Sequence, residues 1–127
     1  MAEVRDRKQE SIDTYQPSVW RTPVSKETAE IMRRGMVEVA TNGTAKAMAI
    51  GGVEVGGKTG TAQLGTPDPK SHAWVIGFAG PAGQPAQVAV AVLVQGQPGA
   101  SEQTGGRVAA PIAKRVLEAA LAAPVQP

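Results

Sequence analysis

A lysine and two threonines stand among glycines in the middle of this 127-residue chain, in the run Gly56-Gly57-Lys58-Thr59-Gly60-Thr61-Ala62-Gln63. Residues 53–55, Val-Glu-Val, alternate apolar and polar side chains just before it, so the pattern predicts a strand that continues through the run. Successive side chains of a strand point to opposite faces. Lys58 is therefore expected on one face, and Thr59 and Thr61 on the other, with backbone groups free along the edge.

No serine of the chain has the sequence context of an activated nucleophile. None is followed three residues later by lysine, and no Ser-x-Asn occurs; the serines are Ser11, Ser18, Ser25, Ser71 and Ser101. Without a nucleophile, a covalent route through an acyl-enzyme is closed to the chain alone. We therefore expect no activated serine nucleophile in this chain.

The segment from Gly52 to Thr59 also satisfies the pattern of a phosphate-binding loop, Gly-x-x-x-x-Gly-Lys-Thr, which would indicate a nucleotide-binding protein. Such a loop follows a strand and opens a helix at its Lys-Thr, whose amides hold the phosphates. Here the supposed loop contains the strand pattern, and the supposed helix would contain Gly60 and Pro67. The context therefore disfavours this alternative.

Other residues that could do chemistry have simpler structural explanations. His72, the only histidine, precedes a predicted strand without a paired acid or thiol, so we expect a loop or strand-start residue. Met32 and Met36 share a helical face and are expected in the core rather than at a metal. Trp74 and Phe78 share one strand face and are expected to pack against a helix. We expect no metal site and no cofactor.

The spacing of apolar residues predicts the elements around the run. A helix is expected over Lys26 to Thr41, with Ser25 as its N-cap and Asn42-Gly43 as a left-handed stop. Its predicted apolar face consists of Ala29, Met32, Met36 and Val39.

Two further strands and a closing helix are predicted after the run. The strands cover Ala73 to Ala79 and Gln87 to Val94, joined by a Gly/Pro-rich hairpin connection. Pro111 either begins the regular part of the helix or kinks it. The helix is indicated by apolar residues at helical spacing: Val108, Ile112, Val116 and Ala119.

Composition excludes several classes of protein. A net charge of +2 from 13 basic and 11 acidic residues gives no basic face, so no nucleic-acid partner is expected. The absence of cysteine excludes disulfides but leaves the compartment open. The longest apolar run, Val88 to Val94, is far shorter than the roughly 20 residues of a membrane span. The N-terminus does not look like a signal peptide, so an export signal is expected outside this chain.

The order of these elements closely resembles the C-terminal part of the transpeptidase domain of class B penicillin-binding proteins. The resemblance rests on the run from Val55 to Gln63, on Ala73-Trp74-Val75-Ile76-Gly77-Phe78-Ala79, and on the strand Val88 to Val92. Asn42-Gly43-Thr44-Ala45 is similar to that family's connecting turn, and Gly105-Gly106-Arg107-Val108-Ala109-Ala110-Pro111 to its final helix. Lys-Thr-Gly is one of three motifs of such serine enzymes.

The resemblance implies roles for four residues on one wall of an active-site groove. Lys58 would supply positive potential, and the Thr59 and Thr61 hydroxyls would bind the terminal carboxylate of a stem peptide or β-lactam. Gly60, without a side chain, would let the acyl group approach. The Thr61 amide would be an oxyanion-hole donor, a contact worth about 3 kcal/mol of barrier. The Ser-x-x-Lys and Ser-x-Asn motifs belong to a helical subdomain earlier in the family's sequences, so the chain alone is expected to be inactive.

The predicted fold class is α+β, an antiparallel sheet of three to five strands with the mid-chain and C-terminal helices packed on one face. Residues 1–127 are expected to be a single partial transpeptidase domain, with edge strands in 1–21 and a disordered tail at 124–127. The expected function is the substrate-binding portion of a peptidoglycan D,D-transpeptidase on the extracytoplasmic side of the membrane, acting on D-Ala-D-Ala stem peptides. Expected partners are the rest of that domain or a second copy by dimerisation or strand swapping. A non-catalytic interaction module on the same fold is the alternative.

Overall fold

The computed structural model describes residues 2–16, 18–64, 70–97 and 103–123, and the tail predicted at 124–127 lies outside them. Two helices and two antiparallel sheets confirm the predicted α+β class. The strands and helices, in chain order, are β1 Ala2–Arg5, β2 Ser11–Tyr15, α1 Lys26–Thr41, β3 Glu54–Leu64, β4 Lys70–Gly80, β5 Val88–Val94 and α2 Ala110–Ala122. A 3-10 turn, Lys46–Met48, precedes β3, and a π-helical turn, Gly105–Ala109, leads into α2.

The three predicted strands form one sheet in the order β3-β4-β5. β1 and β2 pair only with each other among the described residues, in a separate two-stranded sheet. In the larger sheet Thr59 pairs with Val75, and Lys58 pairs with Ile76. The sheet therefore has a covered face, which carries Thr59 and Val75, and an open face, which carries Lys58 and Ile76.

The core lies on the covered face. Val75 of the central strand is fully buried there with Met48 of the 3-10 turn and Leu117 of α2. α2 contributes mostly alanines to this contact: Ala110 and Ala113, with Ala109 just before the helix. Small side chains let a helix approach a sheet closely, which suits a chain with only 3% aromatic residues.

The apolar residues whose spacing predicts α2 do not form its buried face. Ile112 and Val116 are 43% and 45% exposed, and Val108, just before the helix, packs against the core. The buried stripe runs through Ala113 and Leu117, one position further along the helix. Spacing alone cannot separate these two stripes, because both recur at i and i+4. Pro111 stands at the start of α2 and begins its regular part.

The predicted start of α1 is confirmed, but its predicted end is wrong in conformation. The Ser25 hydroxyl accepts a hydrogen bond from the Thr28 amide at 3.1 Å, as an N-cap should. Asn42 has φ −120°, and Gly43 is not in the left-handed region either. The two amides instead donate back to the carbonyls of Glu38 and Val39, at 2.8 and 3.1 Å. Gly43 is needed because a Cβ there would lie 2.9 Å from the Val39 backbone.

α1 runs beside β3 and does not stay on the covered face. Ala40, near its end, is buried in the core, whereas Met36 lines grooves shared with Phe78 and Ile76 on the open face. Met32 is 61% exposed, so the prediction that it is a core residue is wrong, whereas Met36 is half-buried. The prediction that both helices cover one face holds only for α2 and the end of α1.

On the open face, α1 lines grooves with Phe78 and Ile76, but no helix in the described part of the chain packs over Trp74 and Leu93. Phe78 is half-buried in its groove with α1, as expected, whereas Trp74 is 41% exposed, contrary to the expectation that it packs against a helix. Ile76 and Leu93 are about half exposed beside it, at 51% and 49%. Large apolar side chains in such a row mark a surface that another element covers.

Candidate functional site

The Lys-Thr-Gly run lies inside an 11-residue strand that forms one edge of the described sheet. Residues 54–64 pair continuously with β4, from Glu54 opposite Gly80 to Leu64 opposite Lys70. A phosphate-binding loop needs a helix that begins at Lys58-Thr59. The phosphate-loop alternative is therefore wrong, because both residues are extended backbone.

Thr59 and Thr61 open into a cavity of about 460 Å³ on the covered face, which we call the threonine cavity. The lining residues whose side chains can form hydrogen bonds are Thr44, Lys46, Thr59, Thr61, Thr104 and Arg107. The Thr44 and Thr59 hydroxyls are 2.7 Å apart and share one hydrogen bond. Each hydroxyl has one hydrogen and two lone pairs, so this pair can still bond to a ligand.

The glycines of the π-helical turn build the far side of the threonine cavity by close approach. A Cβ on Gly105 would lie 2.1 Å from the Trp74 carbonyl oxygen and 2.8 Å from that of Gly60. A Cβ on Gly106 would lie 2.4 Å from the Thr44 carbonyl oxygen. Backbone packed this tightly positions the residues on either side of the glycine pair, Thr104 and Arg107.

Lys58 lies across the strand from the two threonines, as alternation predicted. Its ammonium group donates a hydrogen bond of 2.7 Å to the Thr59 carbonyl oxygen. Its side chain lines a groove with Ile76 and with α1 residues that include Ile31 and Met36. The structure thus brings Thr59 and Thr61 together in one cavity and places Lys58 at the other side of the same edge strand.

His72 has a structural role. Its Nδ1 accepts a hydrogen bond of 2.9 Å from the Gly96 amide, which ties the segment after β5 to the start of β4. Gly96 itself packs on the Ser71 backbone, which a Cβ would approach to 2.5 Å. In residues 2–16, 18–64, 70–97 and 103–123, no group of three potential ligands could hold a metal ion. No helix in those ranges is long and apolar enough to cross a bilayer.

Sequence reasoning did not identify four residues of the threonine cavity, which come from distant parts of the chain. Thr44 and Lys46 come from the segment after α1, and Thr104 and Arg107 from the turn before α2. The segment around Thr44 resembles the family's connecting turn, and the segment around Arg107 resembles the start of its final helix. Their glycines, in Asn42-Gly43 and Gly105-Gly106, were the available signal, since they mark backbone that approaches another segment closely.

Comparison with known proteins agrees with this geometry. A family model, the penicillin binding protein transpeptidase domain, matches residues 3–118. The peptidoglycan D,D-transpeptidase PbpA of Mycolicibacterium smegmatis is 44% identical over 114 residues, which are 87% of this chain and 22% of that protein. Stage V sporulation protein D of Bacillus subtilis is 36% identical over 115 residues, which are 87% of this chain and 17% of that protein.

Solved structures give the same match. The ceftriaxone acyl-enzyme complex of penicillin-binding protein A from Mycobacterium tuberculosis superposes with a TM-score of 0.71 and 39% identity, over 94% of this chain and 26% of that chain. The D,D-transpeptidase domain of a peptidoglycan glycosyltransferase from Eggerthella lenta gives 0.69 and 34%, over 94% and 26%. The chain spans about a quarter of each of these structures and about a fifth of the full length of the two relatives. With a family model that matches most of its residues, the chain belongs to the penicillin-binding protein transpeptidase domain family, as a C-terminal fragment of that domain.

Proposed function

We propose that this chain is the substrate-binding portion of a peptidoglycan D,D-transpeptidase and forms one wall of its active-site groove. The observation that carries the proposal is the placement of Lys58, Thr59 and Thr61 on an edge strand, with both threonines facing one cavity. Relatives named as D,D-transpeptidases and a β-lactam acyl-enzyme complex of a similar structure support it.

In this proposal Thr59 and Thr61 bind the terminal carboxylate of a D-Ala-D-Ala stem peptide or of a β-lactam. Lys58 raises the positive potential at the edge of the sheet. Gly60, between the two threonines, has no side chain and leaves room for the acyl group. The Thr61 amide stabilises the oxyanion that develops during acyl transfer. The nucleophilic serine comes from the rest of the transpeptidase domain, on the extracytoplasmic side of the membrane.

The chain alone is expected not to form an acyl-enzyme. Incubation of the 127 residues with a fluorescent penicillin should give no covalent label on a denaturing gel, because none of the chain's serines has the required context. Mixing with the remainder of the M. smegmatis PbpA transpeptidase domain should produce label on that remainder. Label on the isolated chain would contradict the proposal. Persistent lack of label in a mixture that demonstrably associates would favour the non-catalytic module.

The proposal also includes a partner that covers the open face of the sheet. This partner is either the rest of the domain or a second copy of this chain, by dimerisation or strand swapping. Trp74, Ile76 and Leu93 expose apolar surface there, next to the groove beside α1. Exposed apolar surface of this kind favours association.

Thermal unfolding at several protein concentrations checks this expectation. The isolated chain should melt below the ~45–65 °C common for mesophilic domains. Its midpoint should rise with concentration if copies associate through the open face, since association stabilises the folded state by mass action. A high midpoint that does not change over a hundredfold range of concentration would contradict it.

A further inference from the structure

Two basic residues contribute to the wall of the threonine cavity. They are Lys46 and Arg107, and both are exposed. Neither forms an ion pair with a carboxylate in the described part of the chain, and no Asp or Glu lines the cavity. A cavity with two unpaired cations and several hydroxyls, but no carboxylate, is suited to an anion.

Both cations are held by segments that are fixed by packing. The Gly105-Gly106 pair, pressed against the backbones of Gly60 and Thr44, immediately precedes Arg107. The Arg107 amide also donates to the Thr104 carbonyl oxygen at 3.2 Å. Lys46 begins the 3-10 turn whose Met48 is fully buried in the core. The backbone at each cation is therefore ordered before any ligand arrives, which reduces the entropic cost of binding.

We propose that Arg107, assisted by Lys46, binds the ligand's carboxylate in the threonine cavity and makes this wall selective for peptides with a free C-terminus. The inference rests on the proposed function, and it assigns the counter-charge that the Thr59 and Thr61 hydroxyls cannot supply. A guanidinium group matches a carboxylate through two parallel hydrogen bonds, which an ammonium group cannot make. Arg107 is therefore the specific partner, and Lys46 contributes charge.

The test is an NMR titration of the isolated chain with N-acetyl-D-Ala-D-Ala and, separately, with its C-terminal amide. The acid should shift the amide signals of Thr59, Thr61 and Gly106, and should bind at least about tenfold more tightly than the amide, the effect of one charge-assisted contact. Arg107→Met should weaken binding of the acid about tenfold and leave binding of the amide unchanged. Arg107→Lys keeps the charge but cannot form the two parallel hydrogen bonds. Its affinity for the acid should therefore lie between the affinities of Arg107→Met and of the unmodified chain.

Arg34→Met is the matched control, because it removes the same charge from an exposed site on α1 that lines neither the threonine cavity nor the two grooves beside α1 described above. It should bind both peptides as the unmodified chain does. Equal affinity of Arg107→Met and the unmodified chain for the acid would overturn the inference, as would shifts elsewhere in the chain or no shifts at tens of millimolar peptide. If inorganic phosphate binds in the same place as tightly as the acid, the proposed selectivity for a peptide with a free C-terminus is wrong.

Failure of this inference is distinguishable from failure of the proposed function. Acylation of a reconstituted domain by a penicillin reports the proposed function and does not require Arg107 to be the carboxylate partner. If that acylation occurs and Arg107→Met still binds the acid normally, only the role of Arg107 is lost. If binding depends on Arg107 but no reconstituted domain is acylated, the carboxylate site stands and the enzymatic proposal fails.

Discussion

Gly105→Ala is expected to destabilise the chain by about 3 kcal/mol or more, at the upper end of the cost of overpacking. The new Cβ would lie 2.1 Å from the Trp74 carbonyl oxygen and within 3.0 Å of the Gly60 amide nitrogen. These atoms are backbone of the two paired strands β3 and β4, so they cannot rotate away as a side chain could. Relief requires the π-helical turn to move off the sheet, which separates α2 from its core contacts and opens the threonine cavity.

Urea unfolding followed by circular dichroism measures this loss, and Gly35→Ala provides the same substitution where a Cβ meets nothing within 4 Å. Gly35 lies in the middle of α1, so alanine there should stabilise by about 1 kcal/mol through helix propensity. The two variants should therefore shift the midpoint in opposite directions. If the free energy of unfolding of Gly105→Ala lies within about 1 kcal/mol of that of the unmodified chain, the π-helical turn does not pack as described.

Replacement of both Thr59 and Thr61 by valine is expected to slow acylation by a penicillin about a hundredfold in a chimera with the proposed activity. In this chimera, the chain replaces the matching segment of M. smegmatis PbpA. Each hydroxyl is proposed to donate to the ligand's carboxylate, and a hydrogen bond to a charged group is worth about 1.5–3 kcal/mol. Loss of about 1.4 kcal/mol at each position multiplies to a factor of about a hundred. Valine keeps the shape and the strand preference of threonine, so the fold should persist.

Thr41→Val is the control for this experiment, because Thr41 is exposed at the end of α1 and its hydroxyl donates a hydrogen bond to the Val37 carbonyl oxygen of the same helix. Its chimera should be acylated at the unmodified rate. Melting of each chimera confirms that it is folded. If the double valine variant is acylated at a rate within threefold of the unmodified chimera, the two threonines do not form the proposed carboxylate site.

The elements of the fold were predictable because their patterns are local. Alternation and turn residues gave β3, β4 and β5 to within about three residues at each end, and Ser25 marked the start of α1. Alternation also separated Lys58 from Thr59 and Thr61, which the register of β3 against β4 confirms. The extended sequence context of Lys58 is by itself sufficient to disfavour the phosphate loop.

The errors concern which side of an element is buried, which depends on neighbours that spacing does not reveal. Ile112 and Ala113 both lie on apolar stripes of α2, and only the close approach of the helix to the sheet selects the alanine. Trp74 would be a core residue if its face were covered, but the described residues provide no covering element. Lys46 and Arg107 were missed because their meeting in one cavity depends on contacts between segments about 60 residues apart.

Acylation of the PbpA chimera by a fluorescent penicillin tests most directly whether this chain supplies one wall of a functional transpeptidase groove. The folded chimera should be labelled at a serine outside the grafted residues, whereas the isolated chain should remain unlabelled. A chimera that melts as cooperatively as PbpA itself and yet takes up no label would show that the chain does not supply this wall.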